Sequence, residues 1–254
     1  MSLGVERREQ ILELLVSEGR VVAADLATRL GVSLDTVRRD LDELAASGAL
    51  RRVRGGGLPP SPSSPRFVDR TGLDIPVKQS IAATAIERLV ASGQVLALAG
   101  GTTIREVARL MPDSLRATVL TIAPDVAVDL LDRPGLEVHV IGGPVNRETR
   151  TVVGAEAIDV LAGVRPDVCL LGACSVHPDA GVTVMHREEA LVIRALMRAS
   201  SRTAVLAASP KLGTAAQWVV GRVDEVDVLV TDDDADAADI AELERHGVEV
   251  VVAR

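Results

Sequence analysis

The chain has no tyrosine, and its aromatic side chains are Phe67 and Trp218 alone. Modules that bind single-stranded nucleic acid stack bases on exposed rings, so that class is disfavoured. Cysteine is as scarce. Cys169 and Cys174 are too few for a disulfide framework and fit a reducing compartment. No apolar run approaches the length of about 20 residues that crosses a bilayer. Residues 1–20 are too charged for a signal peptide. The expected location is the cytoplasm, with no membrane partner. Lysine is scarce too: of 28 basic residues, only Lys78 and Lys211 are lysines.

What is present points to a packed protein of two parts. The 254 residues are 47% hydrophobic with regular apolar spacing, which argues against disorder. A small domain followed by a larger one suits this length. The net charge is −8, yet residues 1–57 hold nine arginines and nine carboxylates, so the whole deficit lies downstream. A neutral front end on an acidic body is a modest charge asymmetry.

The first residues read as helices with a tight turn. Val5 to Leu15 has a helical apolar face, and Ala23 to Leu30 is a second, short helix. Gly31-Val32-Ser33 is the turn, with Ser33 as N-cap of a third helix running to about Ala46. This is the helix-turn-helix pattern. "ALRRVRGGG" then reads as a strand entering a glycine turn, the expected wing. On the third helix Val37, Leu41 and Leu44 fall on the core face, so Thr36, Arg38 and Arg39 point outward. That half of the helix enters the major groove in this motif. Arginine suits the task because its planar fork grips guanine or phosphate with two bonds. Alternatively, Asp35, Asp42 and Glu43 pair with Arg38 and Arg39 as surface charges, each pair contributing roughly 0.2–0.5 kcal/mol.

Residues 7–57 resemble the winged helix-turn-helix of the DeoR family of bacterial transcriptional regulators. The resemblance rests on "GRVVAADLATRLGVSLDTVRRDLDELAASGAL" and "RRVRGGG". Arg54 stands where the family's wing has a histidine, which keeps a donor and makes it permanently cationic. The resemblance implies DNA contact through Ser33, Thr36, Arg38, Arg39, Arg52 and Arg54.

"LPPSPSSPR", residues 58–66, reads as an extended, semi-stiff tether. From Val77 onward helical and strand patterns alternate, with helices from Ile81 to Val90, over "TTIREVARLM" and "PDVAVDLLD", and at 188–199 and 236–246. Strands are expected at "QVLALA", "ATVLTI", "LEVHVIGG", "DVCLLG", "TAVLAA", "VDVLVT" and "VEVVVA". Several are continuously apolar, as in parallel sheets covered by helices on both faces. The fold class is therefore α/β: a winged helix-turn-helix over 1–57, a linker over 58–76, and a Rossmann-like parallel-sheet domain over 77–254 that senses an effector and oligomerises.

Ligands in such sheets bind at the carboxyl ends of strands, where glycine turns open helices. "LAGGTT" has that form, with backbone donors and threonine hydroxyls suited to a phosphate. The region from Arg66 onward resembles the family's C-terminal sensor, which is related to sugar-phosphate isomerases and usually senses a phosphorylated sugar. The resemblance implies effector-binding roles for Lys78, Gly101, Thr102, Thr103, Thr121, Gly142, Gly143, Gly172 and Lys211. Gly181, Thr183 and Gly213 fit its later segments. Departures accompany the matches. Ala99 and Ala208 stand where the family favours aspartate, and Ile122 stands where it favours asparagine. Hydroxyls left without partners cost roughly 1–3 kcal/mol each when buried. A typical sugar phosphate is thus expected to bind weakly, or the effector is an anion with fewer hydroxyls than a hexose phosphate, or sensing has been lost.

No cofactor, metal or catalytic residue is expected. Cys169 lies within an apolar strand, where cysteine acts as a small hydrophobe, so Cys169, Cys174 and His177 read as structural. His186, Glu188 and Glu189 form a polar cluster opening a helix, where carboxylates are favoured by the dipole; capping is expected ahead of catalysis, with a part in effector binding as the alternative. The expected partners are a double-stranded DNA operator, a small anionic effector and further copies of the chain, as a homodimer or homotetramer. The leading function is a regulator, taken as a repressor. Alternatives are a constitutive DNA-binding protein whose large domain only oligomerises, and a sugar-phosphate isomerase-type enzyme, which Ala99 and Ala208 disfavour.

Overall fold

The computed structural model describes residues 3–64 and 66–254; Met1, Ser2 and Pro65 of the proline-serine stretch lie outside the described residues. The front end comprises α1 (Leu3–Glu18), β1 (Val21–Val22), α2 (Ala23–Leu30), α3 (Leu34–Ala46), β2 (Arg51–Val53) and β3 (Gly56–Leu58). Its three strands form an antiparallel sheet in the order β1-β3-β2. The helical spacing seen in the sequence is the packing seen here. Val37, Leu41 and Leu44 of α3 are buried with Ile11 and Leu15 of α1 and Leu26 of α2. Gly31 ends α2 in the left-handed conformation, and the Ser33 hydroxyl accepts from the Thr36 N–H at 3.2 Å. One polar group is buried inside this small core. Asp40 accepts from Arg7 Nε at 2.5 Å and Nη2 at 3.0 Å, which locks α1 to α3.

The larger part begins with α4 (Phe67–Arg70), α5 (Ile75–Leu89), β4 (Val95–Leu98), α6 (Thr102–Leu110), β5 (Ala117–Thr121), α7 (Pro124–Leu130) and β6 (Leu136–Val140). It continues with β7 (Val145–Asn146), β8 (Thr151–Val152), α8 (Ala155–Ala162), β9 (Val168–Gly172), β10 (Ser175–His177), β11 (Gly181–Val184) and α9 (Arg187–Ala199). It ends with β12 (Arg202–Leu206), β13 (Trp218–Gly221), β14 (Val228–Asp232), α10 (Ala237–Arg245) and β15 (Glu249–Ala253). Seven parallel strands form one sheet in the order β15-β14-β12-β9-β4-β5-β6. Side chains alternate across it. Leu96, Leu98, Leu170, Leu206 and Val230 pack under α5, α6 and α7. Ala97, Ala99, Cys169, Leu171, Val205 and Leu229 pack under α8, α9 and α10. A sheet covered on both faces explains the continuously apolar strands.

Three features depart from the sequence reading. Helix α5 starts at Ile75 rather than Ile81, because Pro76 fits the first helical turn, where its missing N–H costs nothing. A β7–β8 hairpin and an antiparallel sheet ordered β10-β11-β13 were not expected. The proline-serine stretch, expected as an extended, semi-stiff tether, is bonded to the larger domain. Leu58 completes β3, Ala215 N–H donates to Pro59 O at 3.1 Å, and Ser61 N–H donates back to Ala215 O at 3.1 Å. The Ser61 and Ser63 hydroxyls both donate to Cys174 O, at 2.7 and 3.3 Å. At the tip of the β10–β11 hairpin, Asp179 meets Arg20 of the front domain at 3.0 Å.

Candidate functional site

The outer face of α3 and the wing carry the arginines. Arg38 and Arg39 are exposed, as expected for side chains opposite Val37 and Leu41. Arg38 lies 3.3 Å from Asp35, an exposed pair that holds the side chain weakly. Among the described residues Arg39 has no ion pair and no side-chain hydrogen bond, and neither has Arg54 at the exposed β2–β3 turn. Arg52 differs: its Nε donates to Asp42 at 2.9 Å and its Nη1 to Gly56 O at 2.6 Å, which braces the wing. Glu43 pairs with Arg8 instead of the α3 arginines. The Thr36 and Ser33 hydroxyls are 2.9 Å apart, so both belong to the helix cap. Two unengaged guanidinium groups thus stand on the surface that can enter a groove or meet phosphate.

The second site lies where the winding of the sheet reverses. From β4 the chain runs outward through β5 and β6, then returns to place β9 on the other side of β4. The carboxyl ends of those two strands leave a crevice, the usual ligand position in open α/β sheets. Gly100 and Gly101 are required there for different reasons. A Cβ at Gly100 would lie 2.1 Å from Thr151 Cγ2, and Gly101 has φ +108°, which L side chains avoid. Thr102 and Thr103, both buried, open α6 directly behind. Gly172 and Ala173 form the facing wall.

Three cations border this cleft: Arg70, Lys78 and Lys211. Its outer part, open to solvent, is also lined by Ser63, Ser64 and Asp74. Arg70, Thr102, Thr103 and Lys211 are shared with an inner part that Glu189 and Cys174 also line. Lys211 Nζ donates to Ala173 O at 3.0 Å. Withdrawal from water pushes its pKa down to about 8, and Arg70 and Lys78 push the same way. Lys78 is also shifted down by burial, with Asp74 opposing. Arg70 Nε is buried with no hydrogen-bond partner. An orphaned guanidinium N–H costs stability unless something occupies the space before it. Converging donors and cations of this kind suit an anion with several acceptor oxygens.

A family model described as the DeoR C terminal sensor domain matches residues 74–233, and one described as the DeoR-like helix-turn-helix domain matches residues 7–61. The chain belongs to the DeoR family. The HTH-type transcriptional regulator GlpR of Haloferax volcanii is 32% identical over 252 residues, covering 98% of each chain. The HTH-type transcriptional repressor GlcR of Bacillus subtilis is 30% identical over 249 residues, covering 97% of this chain and 95% of that one. Among solved structures, the full-length sorbitol operon regulator SorC of Klebsiella pneumoniae is 13% identical with a TM-score of 0.44, covering 96% of this chain and 100% of that one. A likeness that faint carries no argument here. This DeoR-family protein is a DNA-binding transcriptional regulator rather than an enzyme. Among the described residues, no helix is long and apolar enough to cross a membrane.

Of the sensor positions expected from sequence, Gly101, Thr102, Thr103, Gly172 and Lys211 converge on the inner cleft. Lys78 reaches the outer part, but its ammonium is already held by the carbonyls of Arg70 and Leu73. Thr121, Gly142 and Gly143 line neither part. The Thr121 hydroxyl accepts from the Ala123 N–H at 3.1 Å, and Gly143 packs beside Val152 and Val153. Sequence reasoning passed over Arg70, because a four-residue helix after a proline-rich stretch has no periodic signature. Glu189 reads from sequence as a helix-start carboxylate with effector binding as an alternative, and the fold buries it against the inner cleft. Cys169 is buried in β9, and its thiol is pushed up to about 12 by burial. His177 shapes the hairpin by accepting the Asp179 N–H at Nδ1, 3.0 Å away.

Proposed function

We propose that this regulator represses its target genes by laying α3 in the major groove of a double-stranded operator, with the β2–β3 wing on the adjacent backbone. Arg39 reads a base edge or grips a phosphate, Arg54 meets the backbone, and Arg38 joins them once released from Asp35. Ser33, Thr36 and Arg52 hold these elements in shape. A phosphorylated sugar or other small anion bound in the cleft between β4 and β9 controls the affinity. The observation that carries this reading is the orphaned Arg70 Nε beside Lys211, Thr102 and Thr103 at the sheet's switch point. An anion's oxygens supply the acceptor that this nitrogen lacks.

Ala99 and Ile122 support a restricted effector, since both are fully buried in the apolar cluster beneath α8 and α9. They offer no acceptor to sugar hydroxyls. The ligand shifts DNA affinity only as far as it binds the competent and incompetent states unequally. The working assembly is a homodimer or homotetramer in the cytoplasm, held chiefly through residues 67–254, because paired half-sites suit two-fold proteins. Operator titration of the purified chain, with and without a panel of phosphate esters, tests the reading. The reading requires that at least one ester alters operator affinity and that Lys211→Ala weakens its binding in calorimetry. If no ester binds or changes operator affinity, the sensor assignment fails.

A further inference from the structure

The seven-stranded sheet ends at β6, whose outer edge pairs with no strand among the described residues. An open edge offers a row of backbone donors and acceptors to another chain, and proteins commonly blunt it with lysine, proline or a bulge. β6 reads LEVHV, holds neither residue, and keeps an unbroken register with β5. Gly135 O accepts from Ala117 N–H and Ile141 N–H donates to Thr121 O, so both residues face β5. Backbone alternation then turns the N–H and C=O of Val138 and Val140 to the open side. Large apolar side chains gather there. Val140 is 51% exposed, and Val128 and Leu131 beside it on α7 are 64% and 69% exposed. Asp129 turns toward α6, where Arg105 and Arg109 hold it at 2.6 and 3.5 Å, while Val126, Ala127 and Leu130 are buried. Helical spacing puts Val128 and Leu131 on the flank away from α6, the side on which α7 packs over β6.

What fits this edge? The sequence of β6 is its own complement. Paired antiparallel about Val138, two copies set Leu136 opposite Val140 on one face and Glu137 opposite His139 on the other. The two Val138 residues exchange both backbone bonds, and each Val140 N–H reaches Leu136 O of the other copy. Within one chain Glu137 and His139 are exposed and 3.0 Å apart, so two copies gather them into a square of alternating partners. Neighbouring registers lose this match. Centring on Glu137 sets carboxylate against carboxylate, and centring on His139 sets Glu137 against Ile141. The opposite edge of the sheet, β15, has no such symmetry. Centring there on Val252 sets Arg254 against Val250, and centring on Val250 sets Glu249 against Val251.

We propose that a second copy of this chain docks antiparallel on β6, joining two seven-stranded sheets into one and covering Val128, Leu131 and Val140. This rests on the homo-oligomer reading above and names its surface. Antiparallel pairing sends the carboxyl ends of the two sheets in opposite directions, so each effector cleft stays complete within one chain. Sedimentation of the full chain at micromolar concentration, with hydrogen exchange on the same samples, tests it. Wild type sediments as a dimer or larger, and its Val138 and Val140 amides exchange far more slowly than that of Val252 on the β15 edge. His139→Glu sets like charges opposite each other on both sides of the two-fold axis, and raises the dissociation constant roughly tenfold or more. Adding Glu137→Lys restores opposite charges and returns the constant to within about threefold of wild type. A local defect in folding would not be rescued by a second charge change. If His139→Glu does not fold, the wild-type exchange decides alone. An assembled wild type whose β6 amides exchange as fast as Val252, or whose assembly ignores a folded His139→Glu, overturns the β6 contact and leaves the homo-oligomer reading standing. A wild-type monomer overturns both.

Discussion

Replacing Arg39 by alanine separates contact with DNA from support of the fold. In the free protein the Arg39 guanidinium is exposed and bonded to nothing among the described residues, so removing it breaks no native interaction. Thermal stability should stay within measurement error. In the complex, a bidentate grip on a base contributes about 1–3 kcal/mol of discrimination. At about 1.4 kcal/mol per decade, operator affinity should fall by roughly 5- to 150-fold, with the preference relaxed at one base position. Arg52→Ala provides the contrast. It loses the bonds to Asp42 and Gly56 O, an exposed pair and one carbonyl contact, so the wing loosens and stability drops by about 1 kcal/mol. Fluorescence anisotropy on a series of single-base operator variants, alongside thermal melts, reads both quantities. Wild-type affinity in a folded Arg39→Ala protein would refute the assignment of α3 as the reading helix. A fall in stability as large as that of Arg52→Ala would refute the claim that Arg39 is unengaged.

Arg54→Ala should weaken binding to all sequences alike and reduce the slope of log affinity against log salt by about one, measured by titration at several ionic strengths. Glu189→Gln should alter the pH dependence of stability. Burial pushes the native carboxyl up to about 7 against 4.5 unperturbed, with Arg70 opposing and Cys174 close by. Wild type therefore loses stability as pH rises from 4.5 to 7, on the order of 3 kcal/mol, and urea melts of the variant should lack that decline. Gly100→Ala drives a methyl into Thr151 and should destabilise by about 1–3 kcal/mol. Adding Thr151→Ser removes the struck Cγ2, keeps the hydroxyl facing Thr149, and should restore most of the loss in a double-mutant cycle.

How much of this was legible beforehand follows from the range of each signal. Val37, Leu41 and Leu44 announce their helix because the cue lies within seven residues and one apolar face. The apolar runs at 95–98 and 168–172 announce buried strands, and "GGTT" announces a turn at a strand end. Strands β10, β11 and β13 are two turns or less in reach, three or four residues each, and too short for alternation to stand out. Asp40 looks like one more surface charge until α1 folds back and brings Arg7 across 33 positions of sequence. Arg70 and Glu189 meet the same cleft from elements more than a hundred residues apart, which no local spacing encodes. Thr121, Gly142 and Gly143 sit near strand ends as foreseen, but at β5 and β6, away from the junction of β4 with β9.

The stretch rich in proline and serine reads from sequence as an extended, semi-stiff tether between the reading head and the body. Its bonds to Ala215 and Cys174 clasp the chain to the body immediately after β3, and the exposed Arg20–Asp179 pair adds weakly to that hold. A loosely hung head can reach half-sites at many separations; a clasped one cannot. In the proposed dimer, two such chains joined through their bodies would act as calipers with a fixed gap. Because half-sites repeat once per helical turn, about 10–10.5 base pairs, an operator lengthened by half a turn presents one site on the wrong side of the duplex. A fixed gap is expected to reject it, and to reject a whole added turn as well, which keeps the site on the right face of the duplex but moves it out of reach.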